Sequence, residues 1–197
     1  MRISHICFGA CFSVLLMMAS GARAQETEYS RNAIQAGIGL GVLEGKSESG
    51  SGLIYNLGYL RELDAKGRVR FNPSILFGGF RSIGINDARD QEFRLSSLGL
   101  DLHVDVARLG AFSLMISGGA FGALSRGMIG TGGDSNGLPQ QSRYFSHFYI
   151  GGKGSFGLRV APKKQSTSYE LRPVSILVGN QGFVLGYPSL TVNFKIK

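Results

Sequence analysis

Hydrophobic and polar residues alternate one by one along much of this chain. The segment 97–106 shows the pattern clearly: Leu98 and Leu100 fall on one side of an extended strand and Asp101 falls on the other. In a helix, Asp101 and Asp105 would share a face with Leu98, and no apolar stripe would form. A period of two therefore fits these residues better than a period of 3.6 and predicts a β-strand with one apolar and one polar face.

The same alternation predicts eight strands, at 33–43, 53–62, 68–80, 92–106, 111–124, 144–160, 168–179 and 184–196. Most reach the ~9–11 residues that a tilted transmembrane strand needs, whereas strands of soluble proteins usually have ~5–6. Long loops are predicted at 44–52, 81–91 and 125–143, and short turns at 64–67, 107–110 and 162–167. This arrangement is typical of outer-membrane barrels. The predicted fold is all-β: an eight-stranded antiparallel up-and-down transmembrane barrel.

The first 24 residues have the features of a cleaved signal peptide. Arg2 precedes an apolar stretch that ends in small residues, and Ala22-Arg23-Ala24 resembles a cleavage site. Both cysteines of the chain lie in this segment, so no disulfide is expected in the mature protein. We therefore expect a signal peptide at 1–24, a single barrel domain at 25–197 and export to the cell outer membrane.

The polar faces of the predicted strands combine small residues with charges of both signs, which suits a narrow lumen filled by side chains. We expect a lumen charge network of Arg68, Arg70, Asp101, His103, Asp105, Lys153, Arg159, Glu170, Arg172 and Lys195. The apolar faces would then contact lipid. A soluble barrel would invert this arrangement, with its apolar face inside, and it stays open as an alternative that binds an apolar ligand.

Glycine is abundant, at 30 of 197 residues, about twice the usual ~7%. Interleaved with aromatic and aliphatic residues, it indicates strands that curve and pack closely. The net charge of +8 fits attraction to anionic lipid headgroups better than nucleic acid in an exported protein. We expect lipid and lipopolysaccharide as partners and no nucleic acid.

The layout resembles the small outer-membrane β-barrel family of Gram-negative bacteria, especially the Bacteroidetes type. The features that carry the resemblance are the signal ending Ala22-Arg23-Ala24-Gln25, the opening Ile38-Gly39-Leu40-Gly41 and the terminal strand Leu190–Lys197. The resemblance implies membrane insertion by the barrel assembly machinery, as a monomer, and no catalytic mechanism. Family members usually close on an aromatic residue, whereas this chain ends in Lys197 with Phe194 three residues earlier.

Asp101, His103 and Asp105 are three potential metal ligands on one face of one strand. Alternate residues of a strand lie ~6.6 Å apart, so a single ion would not reach all three without a strong bend. A pairing network with Arg70, Lys153 or Arg159 is therefore favoured over a metal site. No cofactor or metal is expected.

Ser146 and His147 suggest a hydrolase, but neighbours on a strand point to opposite faces and cannot form a nucleophile–base pair. Asp134–Gly137 resembles part of a calcium loop without its ligating glutamate, and Gly37, Gly39 and Gly41 precede no helix that would hold phosphate. We therefore expect a non-enzymatic barrel with a plugged polar lumen. A lipid-active enzyme of the same fold, modifying lipid A, stays open as an alternative.

Overall fold

A computed structural model describes residues 31–82, 91–133, 139–162 and 166–196. The predicted signal peptide at 1–24 and Asp134–Gly137 lie outside these residues. Eight antiparallel strands form a closed ring in chain order. They are β1 (Asn32–Glu44), β2 (Ser49–Glu62), β3 (Val69–Arg81), β4 (Gln91–Leu109), β5 (Phe112–Gly133), β6 (Pro139–Val160), β7 (Thr167–Gly179) and β8 (Val184–Ile196), with a short 3-10 turn at Asn180–Gly182.

The first and last strands pair with each other and close the ring. β1 pairs with β2 on one side and with β8 on the other, with Ala36 opposite Val192. The predicted fold of eight antiparallel up-and-down strands is confirmed. Among the described residues no helix is both long and apolar enough to cross a membrane.

The strands reach further toward the predicted loops than expected. β5 and β6 have 22 residues each, so the predicted loop at 125–143 is wrong for 125–133 and 139–143, and 134–138 lie outside the described residues. Glycine and serine suggested a loop there, but the alternation continues: Ser125 is buried and Met128 is 58% exposed. The predicted loop at 44–52 is likewise only a turn at 45–48, because Gly52 pairs with Gly41. Most of the loop predicted at 81–91 lies outside the described residues.

Apolar side chains cover the outside of the barrel. Leu98 and Leu100 are 66% and 56% exposed, whereas Asp101 and His103 are buried. The same outward belt continues on every strand, with Ile38, Tyr55, Phe77, Ile116, Phe148, Ile176 and Leu190 among its members. Exposure of so many large apolar residues is unfavourable in water but is the arrangement of a barrel in lipid. The soluble alternative, which needs the apolar face inside, does not fit this surface.

The two rims of the barrel differ. We call the rim at which β1 begins and β8 ends the turn side, and the opposite rim the loop side. On the turn side, Asp64 Oδ1 accepts a hydrogen bond from the Val69 backbone N–H at 2.9 Å, and this bond lowers the pKa of the Asp64 carboxyl below its usual value of 3.8. Gly67 and Gly110 have φ of 62° and 65° at the tight turns there, a conformation that favours glycine.

Candidate functional site

Charged side chains fill the turn-side half of the barrel interior, with Glu170 at their centre. The Glu170 carboxylate accepts hydrogen bonds from Arg70 Nη1 at 2.7 Å and from Arg172 Nη2 at 2.5 Å. Asn193 Nδ2 donates a third bond at 2.9 Å. Glu170 is completely buried, so these donors take the place of water around its charge.

Arg70 connects opposite walls of the interior. Besides Glu170 on β7, it reaches Asp105 on β4, with Nη2 donating to Asp105 Oδ1 at 2.6 Å. Arg159 on β6 donates to the other Asp105 oxygen at 3.1 Å. Arg70, Asp105, Arg159, Glu170 and Arg172 are hereafter the charged cluster. Because its members come from four strands, the cluster spans the lumen rather than lining one wall.

Neutral polar side chains complete this half. Gln35 donates to Asn193 Oδ1 at 2.9 Å and accepts from Asn72 Nδ2 at 2.8 Å. His103 is fully buried, with its Nε2 at 3.3 Å from Asn72 Nδ2. These contacts join β1, β3, β4 and β8, so the polar network reaches around most of the ring.

A separate ion pair lies nearer the middle of the barrel. Lys153 Nζ is 2.5 Å from Asp101 Oδ2 and donates to Ser74 Oγ at 2.9 Å. A Cβ added at Gly99 would overlap the Lys153 ammonium group, so glycine at that position leaves the space that the lysine occupies.

The structure brings together most, but not all, of the predicted lumen network. It places Arg70, Asp101, His103, Asp105, Lys153, Arg159, Glu170 and Arg172 inside the barrel. Arg68 is exposed because it precedes β3, and its backbone oxygen accepts a hydrogen bond from the Asp105 N–H at 2.9 Å. The Lys195 side chain is 33% exposed at the turn-side rim, 3.9 Å from Glu62. The prediction of Arg68 as a lumen member is therefore wrong, whereas Lys195 lines the turn-side end of the interior together with Arg70 and Arg159.

The three potential metal ligands, Asp101, His103 and Asp105, contact different partners. Asp101 pairs with Lys153, Asp105 with two arginines, and His103 contacts Asn72. Within the described ranges, no three His, Cys, Asp or Glu side chains gather closely enough to hold a metal ion.

The loop-side half of the interior is apolar, which differs from the predicted polar lumen. We call this group the aromatic cluster; it consists of Leu43, Ile54, Leu76, Phe80, Phe93, Leu95, Phe121, Ala123, Phe145, Tyr149, Leu177, Phe183 and Leu185. Phe80 and Phe93 stack with ring centroids 5.3 Å apart, and Tyr149 and Phe183 lie 4.5 Å apart. These rings occupy the space where a channel would otherwise open.

A signal for the aromatic cluster is present in the sequence. Several strands have three consecutive apolar residues, such as Leu53-Ile54-Tyr55, Ile75-Leu76-Phe77 and Phe148-Tyr149-Ile150. Since neighbours on a strand face opposite ways, the middle residue of each triplet must point inward when the outer two face lipid. A prediction from strict alternation of apolar and polar residues does not use these triplets and therefore misses the inward-facing apolar side chains.

The β1–β2 turn, residues 45–48, closes the loop-side mouth. The buried Glu48 accepts a hydrogen bond from the Tyr149 hydroxyl at 2.8 Å, and that hydroxyl accepts one from the Lys46 backbone N–H at 3.1 Å. Gln91 donates to the Ser47 backbone oxygen at 3.3 Å. The turn is thereby tied to β4 and β6 on the far side of the mouth.

His147 contacts Ser47 in this turn rather than Ser146. Its Nε2 lies 2.8 Å from Ser47 Oγ, whereas Ser146 is exposed on the opposite face of β6. The Glu48 carboxylate accepts a hydrogen bond from Ser47 Oγ at 3.4 Å, so it contacts the serine and not the imidazole. A serine and a histidine thus meet at the loop-side mouth, without a carboxylate among the described residues that orients the ring.

Comparison with solved structures identifies the fold. Neisserial surface protein A (NspA) matches with a TM-score of 0.58 and 16% identity, over 85% of this chain and 98% of that chain. Ail of Yersinia pestis matches with a TM-score of 0.51 and 13% identity, over 85% and 99% of the two chains. A second structure of Ail, in complex with the heparin analogue sucrose octasulfate, matches with a TM-score of 0.53 and 15% identity. No protein-family model and no curated protein matches the sequence. The chain has the fold of the small eight-stranded outer-membrane β-barrels.

Proposed function

We propose that this protein is an integral, non-enzymatic outer-membrane barrel whose interior is closed by its own side chains, so that it conducts no ions. The observation that carries the proposal is the span of Arg70 between Asp105 on β4 and Glu170 on β7. Eight strands leave room only for side chains. Here the charged cluster fills the turn-side half of the interior and the aromatic cluster fills the loop-side half.

The size of the interior cavities supports closure. A cavity between the two clusters, lined in part by Asn56, Asp101 and Arg172, has a volume of about 20 Å³. A second, near Arg70 and Lys195 at the turn-side rim, has about 10 Å³. Each is the size of about one water molecule, so neither forms a continuous aqueous path.

The outward surface supports residence in lipid, with the turn side toward the periplasm and the loop side toward the outside. We infer that the barrel is a monomer inserted by the barrel assembly machinery. Both sides of every strand are paired in the ring, and β8 presents Leu190, Val192 and Phe194 in the alternation that such machinery reads. The assignment to the Bacteroidetes type rests on the signal ending and the opening motif.

The test combines membrane fractionation with electrical recording. The mature protein should be recovered in the outer-membrane fraction, show heat-modifiable migration on gels and give no discrete current steps in a planar bilayer. An open porin recorded in the same bilayer is the positive control. Recovery in the soluble periplasmic fraction would contradict membrane residence, and reproducible conductance steps would contradict the closed interior.

A lipid-active enzyme is the second candidate, because Ser47 and His147 lie within hydrogen-bonding distance. A serine activated by a histidine is a common acyl-transfer arrangement. The lipid A profiles of cells expressing Ser47→Ala or His147→Ala, compared with wild type, distinguish the candidates. Identical profiles favour the non-enzymatic barrel, and a lipid A species present only with the wild type favours the enzyme.

A further inference from the structure

Two arginines stand directly opposite each other on the outer face of the barrel. Arg94 on β4 is in register with Arg126 on β5, and both are exposed on the face that carries Leu98 and Leu100. Like charges directly opposite each other across a strand pair are destabilising. A negative charge between the two guanidinium groups would therefore stabilise the pair.

The described residues of the barrel supply little to balance the two charges. Among the described residues, no carboxylate forms an ion pair with Arg94 or Arg126; the nearby Glu92 lies 3.9 Å from Arg81. The flanking strands place Gly79 beside Arg94 and Ser146 beside Arg126. A Cβ at Gly79 would meet no atom within 4 Å. Small residues thus border the arginines on β3 and β6, where space for an anion remains open. Along β4, the next outward residue on the loop side of Arg94 is Glu92.

An apolar groove lies on the same outer face, on the turn side of the two arginines. Its volume is about 750 Å³, and Leu98, Leu100, Ala120, Gly122 and Ile150 contribute to its wall. Leu98 and Gly122 are opposite each other, four residues from the arginines along their strands, which is ~13 Å. The wall of the groove also includes Leu57 on β2 and Ile75 on β3, and the arginines lie on the loop side of the groove.

The pair lies where the outer face of β4 changes from apolar to charged. On the turn side of Arg94, the outward residues from Leu98 to Val106 are apolar. On its loop side, the next outward residue is Glu92. A change of this kind is expected where the hydrocarbon core of a bilayer meets the lipid headgroups, which places Arg94 at the level of the loop-side phosphates.

We propose that Arg94 and Arg126 bind the phosphate of an anionic lipid of the loop-side leaflet, one acyl chain of which lies in the groove. Guanidinium groups form bidentate, charge-assisted hydrogen bonds with phosphate oxygens, and one phosphate between them removes the repulsion of the pair. An apolar groove that begins ~13 Å along the strands from the arginines is within reach of an acyl chain, and it favours a lipid over free phosphate. The proposal rests on the membrane placement given under Proposed function.

The experiment measures lipid binding to the purified full-length mature barrel in a neutral detergent by native mass spectrometry. The probes are phosphatidic acid, a diacylglycerol with the same chains, and inorganic phosphate. The double variant Arg94→Gln/Arg126→Gln removes the pair. Arg61→Gln/Arg68→Gln, which removes two exposed arginines on the turn side, is the matched control. Ala120→Leu fills the groove and keeps the charges.

Phosphatidic acid should bind the wild type and the control alike, and the pair variant about tenfold more weakly, or about 1.4 kcal/mol. Ala120→Leu should also weaken binding, and diacylglycerol should bind weakly to all variants. Equal binding by the wild type and the pair variant would overturn the proposal. So would competition by inorganic phosphate at the concentration of the lipid, because free anion would then be the ligand.

The folding state and the membrane placement are checked separately. Each variant should keep the heat-modifiable migration of the wild type and insert into vesicles of phosphatidylcholine alone. A folded, inserted barrel without selective phosphatidic acid binding contradicts only the lipid site. A barrel that does not insert contradicts the proposed function itself.

Discussion

The two halves of the interior close the same barrel by different means. On β6, Arg159 belongs to the charged cluster and Phe145 and Tyr149 belong to the aromatic cluster, so the division falls within single strands. In the charged half, each carboxylate is held by directed contacts with two arginines. In the aromatic half, the rings pack against one another, and Tyr149 adds directed bonds at the mouth, to Glu48 and from the Lys46 N–H. The barrel wall therefore does not dictate one chemistry for its interior.

The difference lies in what each half needs in order to be stable. Buried charges are costly unless paired, and removal of one partner leaves the other uncompensated. Aromatic rings need only filled space and the exclusion of water. The charged half should therefore be sensitive to the loss of a single atom group, whereas the aromatic half should respond to lost volume.

Glu170→Ala should have the largest effect, because it leaves Arg70 and Arg172 without the carboxylate that both contact. We expect a loss of about 4 kcal/mol in the free energy of unfolding, measured by urea titration of the barrel in vesicles. The control is Glu92→Ala, since the Arg81–Glu92 pair is more than 70% exposed and should contribute less than about 1 kcal/mol. Equal losses in the two variants would contradict the role of Glu170 as the centre of the cluster.

Phe93→Ala tests the aromatic half, because it removes a ring that stacks on Phe80 and contacts Phe145. The cavity should lower the free energy of unfolding by about 3 kcal/mol. Phe77→Ala is the matched control: Phe77 is 47% exposed on the outer face, and lipid tails fill the space that it leaves. If Phe77→Ala costs as much as Phe93→Ala, the aromatic cluster does not close the interior as described.

The alternation in the sequence predicted the ring because one physical rule, the period of two, governs every strand. It also predicted which charges face inward, from Arg70 to Arg172, since their neighbours Phe71 and Leu171 face lipid. It failed at Arg68 because alternation does not show where a strand begins. Arg68 has the inward parity of Arg70 but precedes the first residue of β3.

The sequence indicated which cations could pair with Asp101 and Asp105, but not which carboxylate contacts which cation. Whether Asp105 meets Arg70 or Lys153 depends on the stagger of strands around the ring, and a strand pattern carries no information on stagger. The closure of the loop-side mouth by the turn at 45–48, hereafter the cap, was not predicted for a similar reason. Glu48 contacts Tyr149, which lies far from it in the sequence, across the mouth of the barrel. Composition alone suggested a loop there, and only the closed ring brings the two side chains together.

Tyr149→Phe separates ring packing from polar contact where the aromatic cluster meets the cap. The ring should keep its place against Phe183, but the buried Glu48 loses its donor and the Lys46 N–H loses its acceptor. We expect a loss of about 1–2 kcal/mol in the free energy of unfolding and faster trypsin cleavage after Lys46. Unchanged cleavage would show that the hydroxyl does not hold the turn, and Tyr144→Phe, on the outer face, is the control.

Asp64→Asn should have the smallest effect, because Asp64 lies in a turn outside both halves. The Val69 N–H lowers the pKa of its carboxyl, so the ionised form stabilises the fold above the usual pKa of 3.8, and this contribution is lost as the pH falls through the lowered value. Wild type should therefore lose slightly more stability than Asp64→Asn on acidification below pH 3.8, measured by urea titration across that range. A larger loss in the variant would reverse the sign of the argument. Because the turn lies on the opposite rim from the aromatic cluster, the fluorescence of Tyr149 in a background without the other tyrosines should not follow this titration.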